Sequence, residues 1–129
     1  MAGREGRVGA GAGWRRASWG CGCAVTALSL LPAWLFPPSL PTFFGADKLA
    51  HFGIYGTWGV LMRLGYGRRW TAPAAGAAWG LLMELSQGWL AGGGRSFEWS
   101  DALANLLGIG LGWLAAGRAG QGYSQPRDQ

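Results

Sequence analysis

Apolar residues along the chain gather into four long runs, separated by Pro, Gly and Arg rather than alternating with polar positions. Residues 17–36 hold no charged side chain over 20 positions, and at about 1.5 Å per residue a helix of that length crosses a hydrocarbon core of about 30 Å. Pro37, Pro38 and Pro41 follow; Pro lacks a backbone donor and biases the residue before it toward extended geometry, so 37–46 is predicted as a loop. A second helix is predicted over 47–66, ending at Gly67-Arg68-Arg69, and a third over 70–91, ending in Gly92-Gly93-Gly94. The fourth, over 100–116, is short at about 25 Å, which requires local thinning of the bilayer or a start in a polar vestibule. Residues 1–13 and 117–129 have almost nothing to bury and are predicted to be disordered tails flanking a transmembrane domain of residues 14–116. The pattern predicts an all-α integral membrane bundle of about four transmembrane helices.

Composition changes the picture by exclusion. Charged residues make up 13% of the chain and hydrophobic ones 50%, with 25 Gly among 129 positions, whereas soluble domains carry about 25% charged residues. The net charge of +5 reflects few acids in apolar runs rather than a dense basic patch, so no nucleic-acid partner is expected. Arg15 and Arg16 precede the first apolar run, as in an export signal. That run is long for a signal and no small-x-small cleavage site follows, so an uncleaved anchor is expected. Cys21 and Cys23 are too close for a relaxed disulfide and cannot hold a metal alone. They read as small apolar fillers, and no metal or cofactor is expected.

Basic residues in short loops stay on the cytoplasmic side during insertion. With the N-terminus inside, the inner segments hold Arg4, Arg7, Arg15, Arg16, Arg63, Arg68, Arg69, Arg118 and Arg127, leaving Lys48 and Arg95 outside. Both termini are therefore predicted to be cytoplasmic. Small-residue faces at Gly76/Gly80 and Gly108/Gly112 allow close helix–helix association by dispersion.

The polar residues inside these runs are the candidate chemistry, because ionisable groups near a bilayer centre are costly and usually functional. Asp47, His51 and Tyr55 recur every four residues on one helix face, with Lys48 beside them; Glu84 and Gln87 share a second face, Asp101 and Asn105 a third. Counting from Trp70 at the inner surface, Glu84 lies about 21 Å deep, within about 9 Å of the outer boundary. His51 and Asn105 each lie about 6 Å below the outer start of their helices. The three faces therefore reach one layer in the outer leaflet. Asp47, Ser100 and Glu98 also suit helix capping, and Lys48 or Arg95 suits pairing with Asp101 or Glu84. Acid–base chemistry by His51 with Glu84 or Asp101 is chemically open, whereas no Gly-x-Ser-x-Gly and no His-x-x-x-His is present.

Three ordered blocks carry a family likeness: Asp47-Lys48-Leu49-Ala50-His51-Phe52-x-x-Tyr55, Gly80-Leu81-Leu82-Met83-Glu84-Leu85-x-Gln87, and Arg95-Ser96-Phe97-Glu98-Trp99-Ser100-Asp101-x-x-Ala104-Asn105-x-x-Gly108. Over about residues 44–116 the chain resembles the VanZ-like family of small membrane proteins. The resemblance implies a location in the bacterial cytoplasmic (inner) membrane, a link to low-level teicoplanin resistance, and a chemistry not established for the family. It carries over the family's polar positions onto Asp47, Lys48, His51, Tyr55, Glu84, Gln87, Arg95, Asp101 and Asn105, the expected ligand-binding residues; His51, Glu84 and Asp101 are catalytic candidates on their own acid–base chemistry.

Three functions follow as expectations. The leading one is a cell-envelope membrane protein whose outward polar site binds a lipid head group, a lipid-linked cell-wall intermediate or a lipoglycopeptide antibiotic. The second is an intramembrane enzyme acting on a lipid-linked substrate, and the third a structural or assembly partner of other membrane proteins.

Overall fold

The computed structural model describes residues 2–35, 45–89 and 96–122, which are helical with no strand among them. Helix α1 spans Ala2–Leu30 and is followed by a 3-10 turn at Ala33–Leu35; α2 spans Ala46–Tyr66, α3 Thr71–Trp89 and α4 Trp99–Gly122.

The boundaries correct the sequence reading at three points. The charge-free run over 17–36 passes through Pro32, and there the helix stops: α1 ends at Leu30, and the Leu35 N–H closes a 3-10 turn on the Pro32 carbonyl at 3.1 Å. Pro cannot donate to the helical ladder, so lack of charge does not prolong the helix past it. In the other direction α1 begins at Ala2, not at residue 17, and α4 continues to Gly122, not to 116. Residues 2–13 and 117–122 are thus helical where tails were expected. They carry Ala, Arg and Glu among their glycines and no Pro, and these residue types favour helix even where there is little to bury. The expected second helix, 47–66, matches α2 to within a residue. Gly67 ends α2 with a positive φ of 65°, open to Gly without strain, and its N–H bonds to the Arg63 carbonyl at 2.9 Å.

The most extensive helix pair is α2 with α4. They run parallel, since Lys48 faces Asp101, His51 faces Asn105 and Arg63 lies over the Trp113 ring at 4.4 Å. α1 and α3 run the opposite way, shown by Gly22 against Trp58 and Gly80 against Tyr55. Along the α2–α4 seam the backbones touch. A Cβ on Gly108 would sit 2.5 Å from the Phe52 carbonyl oxygen; one on Gly112 would enter the Gly56 carbonyl, and one on Gly59 that of Ile109. Gly76 lies against Met62 and Ile109. The small faces read from the sequence are therefore occupied by helices of the same chain.

Polarity is distributed inversely to that of a soluble bundle. The buried residues include Ser18, Glu84, Gln87, Asp101 and Asn105, beside an apolar cluster of Val25, Tyr55, Trp58, Met62 and Ile109. Leu49, Phe52, Leu82, Leu106, Leu111 and Leu114 face outward. Apolar patches of this extent mark a surface that meets something other than water. Among the described helices, Trp99–Ala119 within α4 is long and apolar enough to cross a membrane by length and composition.

The seam gives a direct test. Gly112→Ala places a methyl group in the Gly56 backbone and should lower stability by about 1–3 kcal/mol or more. Gly110→Ala, where nothing lies within 4 Å, should leave it unchanged or slightly raised. Thermal unfolding of the two variants in detergent checks the contrast.

Candidate functional site

The three polar faces meet at the end of the bundle where α2 and α4 begin and α3 ends. Side-chain exposure falls inward from 53% at Asp47 and 48% at Glu98, through 22% at His51 and 12% at Asp101, to 1% at Glu84. The result is a polar well with a wet lip and a dry floor.

The lip is organised by Lys48. Its Nζ lies 2.8 Å from Asp47 Oδ2, 3.2 Å from Glu98 Oε2 and 3.3 Å from Asp101 Oδ1. One ammonium thus meets three carboxylates from α2, from the segment before α4, and from α4 itself. At the exposed lip each contact is screened and individually weak. Their shared geometry still holds the first turn of α2 against the start of α4.

The floor is a chain of hydrogen bonds across three helices. His51 Nδ1 lies 2.9 Å from Asn105 Oδ1, and Asn105 Nδ2 donates to Glu84 Oε1 at 3.3 Å. With the amide oxygen facing the imidazole, Nδ1 is the ring nitrogen placed to donate to Asn105. The other ring nitrogen, Nε2, then faces Asp101 Oδ2 at 3.8 Å. Glu84 Oε1 is 3.5 Å from His51 Nδ1, so one imidazole stands between two carboxylates. Asn105 is 1% exposed, and a buried amide that bridges two groups leaves both underserved when it is removed.

Tyr55 packs one turn below His51, its ring stacked with the imidazole at 6.5 Å and set against Gly80, where any Cβ would meet it at 2.8 Å. Gln87 turns elsewhere: its Nε2 donates to the Ser29 carbonyl at 3.2 Å, fastening α3 to α1. Of the residues expected from sequence, Asp47, Lys48, His51, Glu84, Asp101 and Asn105 come together, Tyr55 lines the base and Gln87 joins a different contact. Arg95 lies outside the described residues.

The capping expectation is corrected for Asp47. Gly45 caps α2 without a side-chain hydrogen bond, and Asp47 lies in the first turn engaged with Lys48. Ser100 Oγ donates to Glu98 Oε2 at 3.3 Å, while the Glu98 carbonyl receives the Asp101 and Ala102 amides. Glu98, expected only as a capping residue, also belongs to the lip through Lys48. Its signal was the three-residue spacing to Asp101, which aligns the two carboxylates at the start of a helix.

Two sets of donor atoms lie within 4.8 Å of one another: His51, Glu84 and Asp101, and Asp47, Glu98 and Asp101. The Lys48 ammonium already contacts all three members of the second set. In the first, an ion would displace the short His51–Asn105–Glu84 chain. The well holds four carboxylates, three of them on Lys48 and the fourth, Glu84, at the floor, so it is acidic and suits hydrogen-bond donors or an ammonium rather than a phosphate.

A family model described as VanZ/LLP1 matches residues 16–119. The match takes in the second half of α1, beyond the motif blocks. No curated protein and no solved structure matches the chain.

Asn105→Ala should cost about 1–3 kcal/mol, because it leaves buried groups of His51 and Glu84 without their shared partner. Asp47→Asn at the exposed lip should leave stability nearly unchanged. Denaturation midpoints of the two variants in detergent test the division between floor and lip.

Proposed function

Because the chain belongs to the VanZ/LLP1 family, we propose that it is a multi-pass protein of the bacterial cytoplasmic membrane, with four spans, both termini in the cytoplasm and the polar well open to the outer leaflet. The observation that carries this reading is the inverted polarity: Glu84 and Asn105 are 1% exposed while leucines and tryptophans cover the outside. Intramembrane ionisable groups face the bundle interior and pair with one another, as these do. The apolar Trp99–Ala119 segment and the concentration of Arg at the opposite end support the same orientation.

The well binds the amine-bearing head group of a membrane lipid or of a lipid-linked cell-wall intermediate. Its acidity favours an ammonium, and its exposed lip gives access from the outer leaflet. An acylated glycopeptide such as teicoplanin anchors in that leaflet, so a protein that organises outer-leaflet head groups interferes with the drug's anchoring. Vancomycin, without an acyl chain, escapes this effect.

One observation favours a second reading. His51 lies between Asp101 and the Asn105–Glu84 chain, an arrangement also suited to proton transfer on a lipid-linked substrate. Both ring nitrogens already face protein groups, which makes binding the better supported role.

Expression in a glycopeptide-sensitive Gram-positive host, at matched membrane levels, tests these readings. Binding predicts protection against teicoplanin but not vancomycin, lost in Asp101→Asn and largely kept in Glu84→Gln, whose amide still accepts from Asn105. Catalysis predicts that Glu84→Gln abolishes protection. Equal protection against both drugs contradicts the anchoring mechanism.

A further inference from the structure

At the other end of the bundle, α1 and α3 enclose a cleft of about 830 Å³ that takes no part in the polar well. Trp58 and Met62 of α2 form its floor, Gly22 and Cys23 of α1 one wall, and Ala75 and Trp79 of α3 the other. A hydrogen bond from Trp79 Nε1 to Thr26 Oγ1 at 2.9 Å spans the cleft and ties α3 to α1. The mouth is polar: Tyr66, Thr71 and Arg69 line it.

Dimension and charge together define the occupant. From Thr71 at the mouth to Trp79, the farthest residue of α3 in the lining, is eight residues, or about 12 Å. That is close to one leaflet, half of a core of about 30 Å. The volume falls in the range of small-molecule sites. Arg68 neighbours Arg69, and Arg15 packs its backbone against Gly65 beside the mouth. Four of the six acidic residues of the chain, Asp47, Glu84, Glu98 and Asp101, belong to the well at the far end. The cleft is therefore apolar along one leaflet's depth and cationic at its opening, with the positive end of the α3 dipole adding to the charge. Arg presents forked donors suited to a phosphate.

We propose that this cleft is a binding site for one acyl chain of an inner-leaflet anionic phospholipid, with the lipid phosphate held by Arg69. The proposal rests on the membrane orientation above, in which the arginine-rich end faces the cytoplasm. It gives the protein two lipid contacts of opposite sign, an acidic well for an outer-leaflet amine and a basic cleft for an inner-leaflet phosphate.

The test is native mass spectrometry of the full chain released from mixed micelles holding equal amounts of phosphatidylglycerol and phosphatidylcholine with the same acyl chains. Wild type should retain one phosphatidylglycerol in preference to phosphatidylcholine. Arg69→Gln should reduce that retention about tenfold, the worth of a charge-assisted hydrogen bond. Ala75→Phe, which fills the wall, should reduce it similarly, while Arg118→Gln on α4 should not. Equal retention of both lipids, or unchanged retention in Arg69→Gln, overturns the proposal. So does loss in Arg69→Gln with full retention in Ala75→Phe, since the phosphate would then be held without a chain in the cleft. Alkaline carbonate extraction of cell membranes separates the two levels. Release of the chain by carbonate refutes the membrane reading and this site with it, whereas a chain that resists extraction yet shows no lipid preference refutes the site alone.

Discussion

The contact on which the rest of the structure depends is the seam between α2 and α4, where Gly56, Gly59, Gly108 and Gly112 let two parallel backbones touch. Helices approach this closely only where no Cβ intervenes, and dispersion between close-packed backbones then holds them without a hydrophobic driving force. The seam also sets register. His51 lies just above Gly56 on α2 and Asn105 just above Gly108 on α4, so fixing the glycines opposite one another brings imidazole and amide to 2.9 Å. Arg63 over Trp113 continues the same register at the inner end. The α3 helix completes the arrangement: Gly76 and Gly80 admit Met62 and the Tyr55 ring, and this close approach carries Glu84 to Asn105.

Gathering polar groups inside has a consequence for the outside. With Glu84, Asp101 and Asn105 gathered within the bundle, its outer faces are left to Leu and Trp. A buried polar network is stabilising only when its members find partners. Here Lys48 supplies the positive charge at the lip, and Asn105 couples an imidazole to a carboxylate at the floor. The two ends of the molecule thereby acquire opposite electrostatic character, acidic at the well and basic at the cleft.

Much of this was legible in the sequence. The four-residue repeat of Asp47, His51 and Tyr55 identified one face of α2, and helical rise alone brought His51, Glu84 and Asn105 to a common depth. Rise carries no information about rotation around each axis, so Gln87, three residues from Glu84, turned out to serve α1 through Ser29. Small-residue spacing marked the close-packing faces but not their partners, because a glycine face has no chemical signature for what it meets. The extent of α1 was misjudged for a local reason: absence of charge was allowed to outweigh Pro32. Glu98 was expected only as a cap because an acid before a helix suits a cap as well as an ion pair, and only the fold brings Lys48 within 3.2 Å of it. The cleft between α1 and α3 had no sequence signal, since its lining of Gly, Ala and Trp is shared with the outward-facing surface.

The central claim is that the polar well opens on the outer side of a membrane and the arginine-rich end on the inner side. The most direct measurement is cysteine accessibility in intact cells, with Cys21 and Cys23 replaced by Ala and one reporter introduced at a time, Asp47→Cys at the well or Arg68→Cys at the opposite end. The account predicts that a membrane-impermeant maleimide labels the Asp47→Cys chain in intact cells and the Arg68→Cys chain only after permeabilisation. Labelling of both from the same side, or the reverse order, would contradict it.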